Sequence, residues 1–317
     1  MMPLHDFQRS QKAARMSILR LATPAVLALL TALFFDQSCW RKGLLPPGFE
    51  GSAEPGSRTW KIGVVRRSLA LTCLWGVLWI GVFLPLATLG QTTELDLSSV
   101  STSQLFLLHF LFVFVLMVWY VLGFAGFPGY GARGKSGWIA QLGFRAASVW
   151  REIGLGLVVG VGAWFVVLVA LTSVALLVWW LGGAEFLPTE PPSVVPWIAG
   201  LPIAVRLLVS LSAGVVEETF FRGFLQPRVG LAFSTALFVL AHASYEQPLM
   251  LVGITLLSLI YGLLVVWRQT IWAAIAAHTL FDAMQLLVII PWALKLLEEG
   301  GPEIPIPVAA VLIGLGF

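Results

Sequence analysis

SAGVVEETFFRGFL, residues 212–225, sets three charged groups into an otherwise apolar run. Glu217 and Glu218 are two of only 16 acidic residues in a chain of 317. Arg222 follows Glu218 by four positions, which puts that pair on one helix face. Whether this run lies in a soluble core or in a bilayer decides the fold. Ionisable groups inside a membrane are expensive and mark function by default.

The surrounding chain decides for the membrane. It is 58% hydrophobic and 11% charged, with a mean hydropathy of +0.91. A soluble domain carries roughly a quarter charged residues. The expected fold is all-α, a polytopic bundle of about seven to eight transmembrane helices. A net charge of +3 gives no ground for nucleic acid as a partner; the basic residues cluster in loops, where they report topology. Cys39 and Cys73 stand in no CxxC or Cys–His spacing, so they read as unpaired thiols. The basic N-terminus is not expected to be a cleaved signal, because 21–35 closes on Leu33, Phe34 and Phe35 with no small residues before Asp36.

Working outward, apolar spans are expected at roughly 68–90, 105–126, 152–181, 199–222, 229–245, 249–267 and 270–290. The stretch 21–35 contains Pro24 and is flanked by basic residues on both sides, so it is expected to be interfacial or re-entrant. The stretch 307–317 is a half span, and 46–58 is a Pro/Gly-rich linker. Three units follow: a basic cytoplasmic segment at 1–67, N-terminal transmembrane helices at 68–190 and a catalytic core at 191–317. Segments 36–67 and 127–151 are basic, with Arg41, Lys42, Arg133 and Lys135 among their residues. Segments 91–104 and 183–198 carry Glu94, Asp96, Glu185 and Glu190 and no base. The basic loops belong in the cytoplasm by the positive-inside rule, and Arg222, Arg228 and Arg268 fall on that side. The site is therefore expected to open toward the cytoplasm. Arg206 departs from the pattern and is expected to snorkel, while Trp179 and Trp180 suit an aromatic belt.

The remaining polar residues converge in depth. Glu217 lies 11 residues before Arg228, His242 lies 14 after it, and His278 lies 10 after Arg268. At about 1.5 Å per residue, three helices bring ionisable groups to about 15–21 Å from one membrane face. His278 and Asp282 are four apart, so a carboxylate can fix the histidine tautomer. Glu218 can pair with Arg222 and leave Glu217 as general base, with a histidine opposite to hold a water or meet an oxyanion. That is a hydrolase site without a covalent nucleophile. His109, alone in its apolar helix, reads as a packed structural residue; only His242 and His278 are expected to join Glu217.

EETFFR (217–222), FVLAH (238–242) and HTLFD (278–282) match EExxxR, FxxxH and HxxxN/D in order. In these motifs the chain resembles the CAAX-processing and bacteriocin-processing (Abi) membrane proteases, relatives of the eukaryotic CAAX endopeptidase, over about 200–290. The resemblance implies a glutamic-type intramembrane endopeptidase. Glu217 would activate water, His242 would help hold it, Glu218 and Arg222 would support that geometry, and His278 with residue 282 would stabilise the oxyanion. Asp282 stands where the eukaryotic enzymes have Asn; a charged carboxylate repels an oxyanion, so Asp282 either carries a proton or only orients His278. The reading calls for no cofactor and no metal. Its partners are a membrane protein or peptide substrate and the lipid bilayer, and its place is the cell membrane, as a multi-pass protein (the inner membrane in a Gram-negative host). Two alternatives stay open. One is a zinc metalloprotease using Glu217, His242 and His278, although HExxH is missing. The other is a non-proteolytic immunity or proton-coupled transport protein.

Overall fold

The structure, a computed structural model, describes residues 4–44, 55–88, 101–122, 138–245, 247–300 and 305–315. Most of the linker at 46–58 and the loop residues Glu94, Asp96, Arg133 and Lys135 lie outside them. Among the described residues there are helices and no strands. The first four long ones are α1 (Leu4–Arg41), α2 (Arg58–Leu78, extended by a π turn Trp79–Phe83), α3 (Leu107–Val121) and α4 (Val149–Gly182), with single helical turns at Pro85–Thr88, Thr102–Leu105 and Trp138–Gln141 between them. After a short α5 (Val194–Ala199) comes α6, which runs as Ile203–Ser212, a π-helix Ala213–Leu225 and a last turn Gln226–Val229. Then follow α7 (Leu231–Ala241) and α8 (Pro248–Arg268). The chain closes with α9 (Trp272–Met284, a π segment Gln285–Ile289, and Ile290–Gly300) and α10 (Ile306–Gly314).

An all-helical membrane bundle follows from backbone chemistry, since a lipid-facing peptide group must find its partner within its own segment. Five helices are long and apolar enough to cross: Leu19–Arg41, Trp60–Phe83, Val149–Gly182, Pro248–Arg268 and Trp272–Glu299. Two more, α3 and α7, are apolar but only 15 and 11 residues long. The charges of α6 keep it from reading as a plain span. Outer faces are greasy, as lipid contact requires: on α4, Val158 is 71% exposed, whereas Val167, Leu171 and Ala175 are fully buried. Trp179 and Trp180 sit exposed at the end of α4, the position of an aromatic belt.

The first helix differs from expectation. Residues 21–35 are the middle of a continuous 38-residue helix that accommodates Pro24. Ala28, Ala32, Phe35 and Cys39 enter the same core as α2, α3 and α6, which a helix lying flat in the headgroups would not do. Small, evenly spaced core residues make that contact, and a hydropathy reading undervalues them.

Polar contacts align the helix ends. Lys42 donates to the carbonyls of Pro227 and Arg228, each at 2.9 Å, and Ser38 also donates to the Arg228 carbonyl. Arg67 pairs with Asp36. Arg268 forms a two-pronged pair with Glu152 at 3.0 and 2.5 Å. The end of α1, the start of α2, the start of α4 and the ends of α6 and α8 therefore share one face, the basic end. At the other face α2 ends, α3 begins, α7 ends, α8 begins and α5 sits.

Candidate active site

Two close helix contacts build the frame. α4 meets α9 through Gly156 and Gly160; a Cβ on Gly160 would lie 2.8 Å from the Ala277 carbonyl oxygen. α6 meets α9 at Gly214, where a Cβ would lie 3.0 Å from the Ile275 carbonyl oxygen. Small residues that let backbones approach are the usual currency of helix packing in membranes. The approach at Gly214 lets His278 on α9 reach Glu218 on α6.

Both glutamates lie in the π-helical stretch of α6, a rare geometry that recurs at functional sites. It turns the two neighbours to different tasks. Glu218 is fully buried. Its Oε1 lies 3.0 Å from Arg222 Nη1 and accepts from His278 Nδ1 at 2.9 Å. Arg222, 1% exposed, also donates to Ser258 Oγ at 3.1 Å and stands 4.2 Å over the Phe238 ring. Glu217 turns instead into a cavity of about 340 Å³, together with His242, His278, Asp282 and Tyr261. That volume is at the lower end of ligand pockets, roughly 300–1,000 Å³.

The structure thus gathers all six residues singled out by spacing. His242 caps α7 at its C-terminal end, and its Nδ1 donates to the Phe238 carbonyl at 2.8 Å. In a neutral ring that leaves Nε2 as the accepting nitrogen. His278 has a carboxylate at each nitrogen: Glu218 at Nδ1, and Asp282 Oδ2 at 3.4 Å from Nε2. The Tyr261 ring stacks on His278 with centroids 5.2 Å apart. Among the described residues, no three His, Cys, Asp or Glu side chains are grouped so as to hold a metal ion.

One expectation fails. His109 is not a bystander. Its Nε2 lies 3.2 Å from Glu217 Oε1 and its Nδ1 2.7 Å from Ser212 Oγ. If Nε2–H donates to the glutamate, Nδ1 accepts the Ser212 hydroxyl proton, so the three residues form one directed chain. His109 stands only two residues into α3 with no polar partner at helical spacing, so the sequence does not tie it to Glu217. Tyr261 was also missed. Its hydroxyl is buried without a hydrogen-bond partner, and no spacing in the sequence points to it.

Neither Arg228 nor Arg268, toward which an opening is expected, lines the cavity. On the basic side of Glu217, Phe112, Phe221 and Phe238 line the cavity, are 1–4% exposed and pack edge to face at 5.5 and 5.0 Å. Above it, a helical turn at Thr102–Leu105 leads into α3, and α7 stops at Ala241 after 11 residues, short of the roughly 20 that a span needs. The space left there belongs to the cavity. Its walls continue through Val209, Leu286 and Ile290 to Ser244 and to Val194 and Ile198 beside the opposite face.

Comparison with known proteins bears out the resemblance over the core of the chain. Residues 199–284 match the family described as "Type II CAAX prenyl endopeptidase Rce1-like". "Uncharacterized protein YpbD" of Bacillus subtilis (strain 168) is 29% identical over 79 residues, covering 25% of this chain and 42% of that protein. The chain therefore spans less than half the length of that curated relative. No solved structure matches. The matched family segment holds α6 to the first part of α9, with every motif residue from Glu217 to Asp282; His109 and the helices before α5 lie outside it.

Proposed function

We propose that the protein is an intramembrane endopeptidase in which Glu217 activates a water molecule. The observation that carries this reading is the division of labour between two adjacent carboxylates. Glu218 is locked between Arg222 and His278, while Glu217 faces a cavity in the company of histidines. A water held between Glu217 and Nε2 of His242 would give up a proton to Glu217 as its oxygen attacks the scissile carbonyl carbon. Glu217 would then pass that proton to the departing amide nitrogen, so the base of the first step is the acid of the second. Preorganised donors lower the cost of the developing oxyanion. Asp282, whose side chain is 22% exposed at the cavity wall, would donate to the oxyanion only while it carries a proton; ionised, it would accept from His278 Nε2 and orient that ring. Glu218 and Arg222 are positioning residues, since neither lines the cavity.

The test is a comparison of protein termini in membranes from cells carrying the wild-type chain or Glu217→Gln. The amide keeps the shape of the carboxylate and cannot take a proton. Specific new termini are expected with the wild type, and at least a hundredfold fewer with the variant at equal protein level. Unchanged processing by Glu217→Gln would sink the assignment.

A further inference from the structure

We propose that the cavity receives its substrate from the non-cytoplasmic face, so that the polypeptides cut are ones already carried across the membrane, entering as an apolar extended segment. This rests on the protease reading and adds the side and the class of the substrate.

Three observations carry it. First, the cavity is floored toward the basic end by Phe112, Phe221 and Phe238, whose rings pack edge to face at 5.5 and 5.0 Å. Water and substrate share the remaining route. Second, that route runs past the start of α3 and the end of α7 to α5, and its walls are apolar: Leu105, Leu108, Val194, Ile198, Leu286 and Ile290. A chain entering there meets mostly apolar walls, with Ser244 beside them and the ionisable groups at the bottom. Third, charge orients the bundle. The basic end also holds Lys61, Arg66, Arg145 and Arg151. The opposite face presents Glu185 and Glu190 between α4 and α6. Around the apolar stretch 21–35 of α1 the two flanks are nearly balanced, with Arg9, Lys12, Arg15 and Arg20 before it and Arg41, Lys42 and Arg58 after it, so the later loops decide. Excess Lys and Arg stay in the cytoplasm, and the mouth of the cavity then faces away from it.

The experiment needs no known substrate. In the full chain with Cys39→Ala and Cys73→Ala, single cysteines replace Ser193 beside α5, Ser244 in the cavity wall, and Ala147 at the basic end; all three positions are exposed. Right-side-out and inside-out vesicles from the same cells are treated with a membrane-impermeant maleimide. Positions 193 and 244 should label in right-side-out vesicles at least tenfold faster than in inside-out ones, and position 147 the reverse. The inverted pattern overturns the proposal, as does equal labelling in both preparations. So does labelling at 193 with none at 244, which would mean the cavity is closed on that face. Repeating the series with Glu217→Gln separates the two claims. Failure of the protease reading shows as termini that ignore Glu217 and leaves the labelling untouched; failure of the access claim shows in the labelling alone.

Discussion

A carboxylate that must accept a proton needs a neighbour that holds it still without neutralising it for good. His109 does this for Glu217, itself aimed by Ser212. His109→Ala should lower kcat tenfold or more with little change in KM, and His109→Gln, whose amide N–H can reach the same oxygen, should recover part of the loss. Equal losses in kcat from both variants would mark a folding effect instead. His109 is therefore expected to matter as His242 and His278 do, whereas its sequence offers no partner at helical spacing. The motif residues were legible because each pair lies within one helix turn, as Glu218 and Arg222 or His278 and Asp282 do. The Glu217–His109 contact spans 108 positions, and nothing local announces it. Arg222 carries a different burden. Removing one partner of a buried ion pair leaves the other uncompensated, at about 3–5 kcal/mol. Arg222→Met should lower the thermal midpoint in detergent markedly, and adding Glu218→Gln should restore part of it, as a double-mutant cycle would show.

Among the elements, α4 and α9 depend on glycine in one narrow stripe. Gly160→Leu would force the Ala277 backbone away, at about 1–3 kcal/mol for overpacking, and would move His278 one position on. Both the thermal midpoint and turnover should fall. Gly162→Leu, two residues along and with open space around its position, should change neither; a loss there would show that the helix itself, and not the contact, is sensitive. Helix identity was readable from hydropathy for α2, α4, α8 and α9 because each has a long lipid-facing side. The reading went astray where helices serve the site. In α1 small residues pack inward. In α6 the backbone adopts π geometry, and no residue pattern used for α-helices distinguishes the two. α7 stops at Ala241, just before the polar run His242, Ser244 and Gln247, well short of a full span.

Taken whole, the molecule puts its titratable groups to work on each other. Both nitrogens of His278 face carboxylates, and Nδ1 of His242 is committed to a carbonyl. These are poor terms for a zinc ligand, and turnover should survive exhaustive chelation; stoichiometric zinc whose removal abolishes and whose return restores activity would reverse that ranking. Fold class and core were plain from composition and three motifs, while the side from which the core is entered was not, because loop charges orient a bundle without saying where it is hollow. The aromatic layer beneath Glu217 has a further electrical meaning. A bowl that carries water halfway through a bilayer shortens the distance over which the transmembrane voltage must drop. Each elementary charge moved across that voltage is worth about 2.3 kcal/mol per 100 mV. On the proposed access, Phe112, Phe221 and Phe238 would be the remaining insulator, letting a membrane house hydrolysis at mid-depth without becoming leaky to protons, with most of the field falling across those few rings.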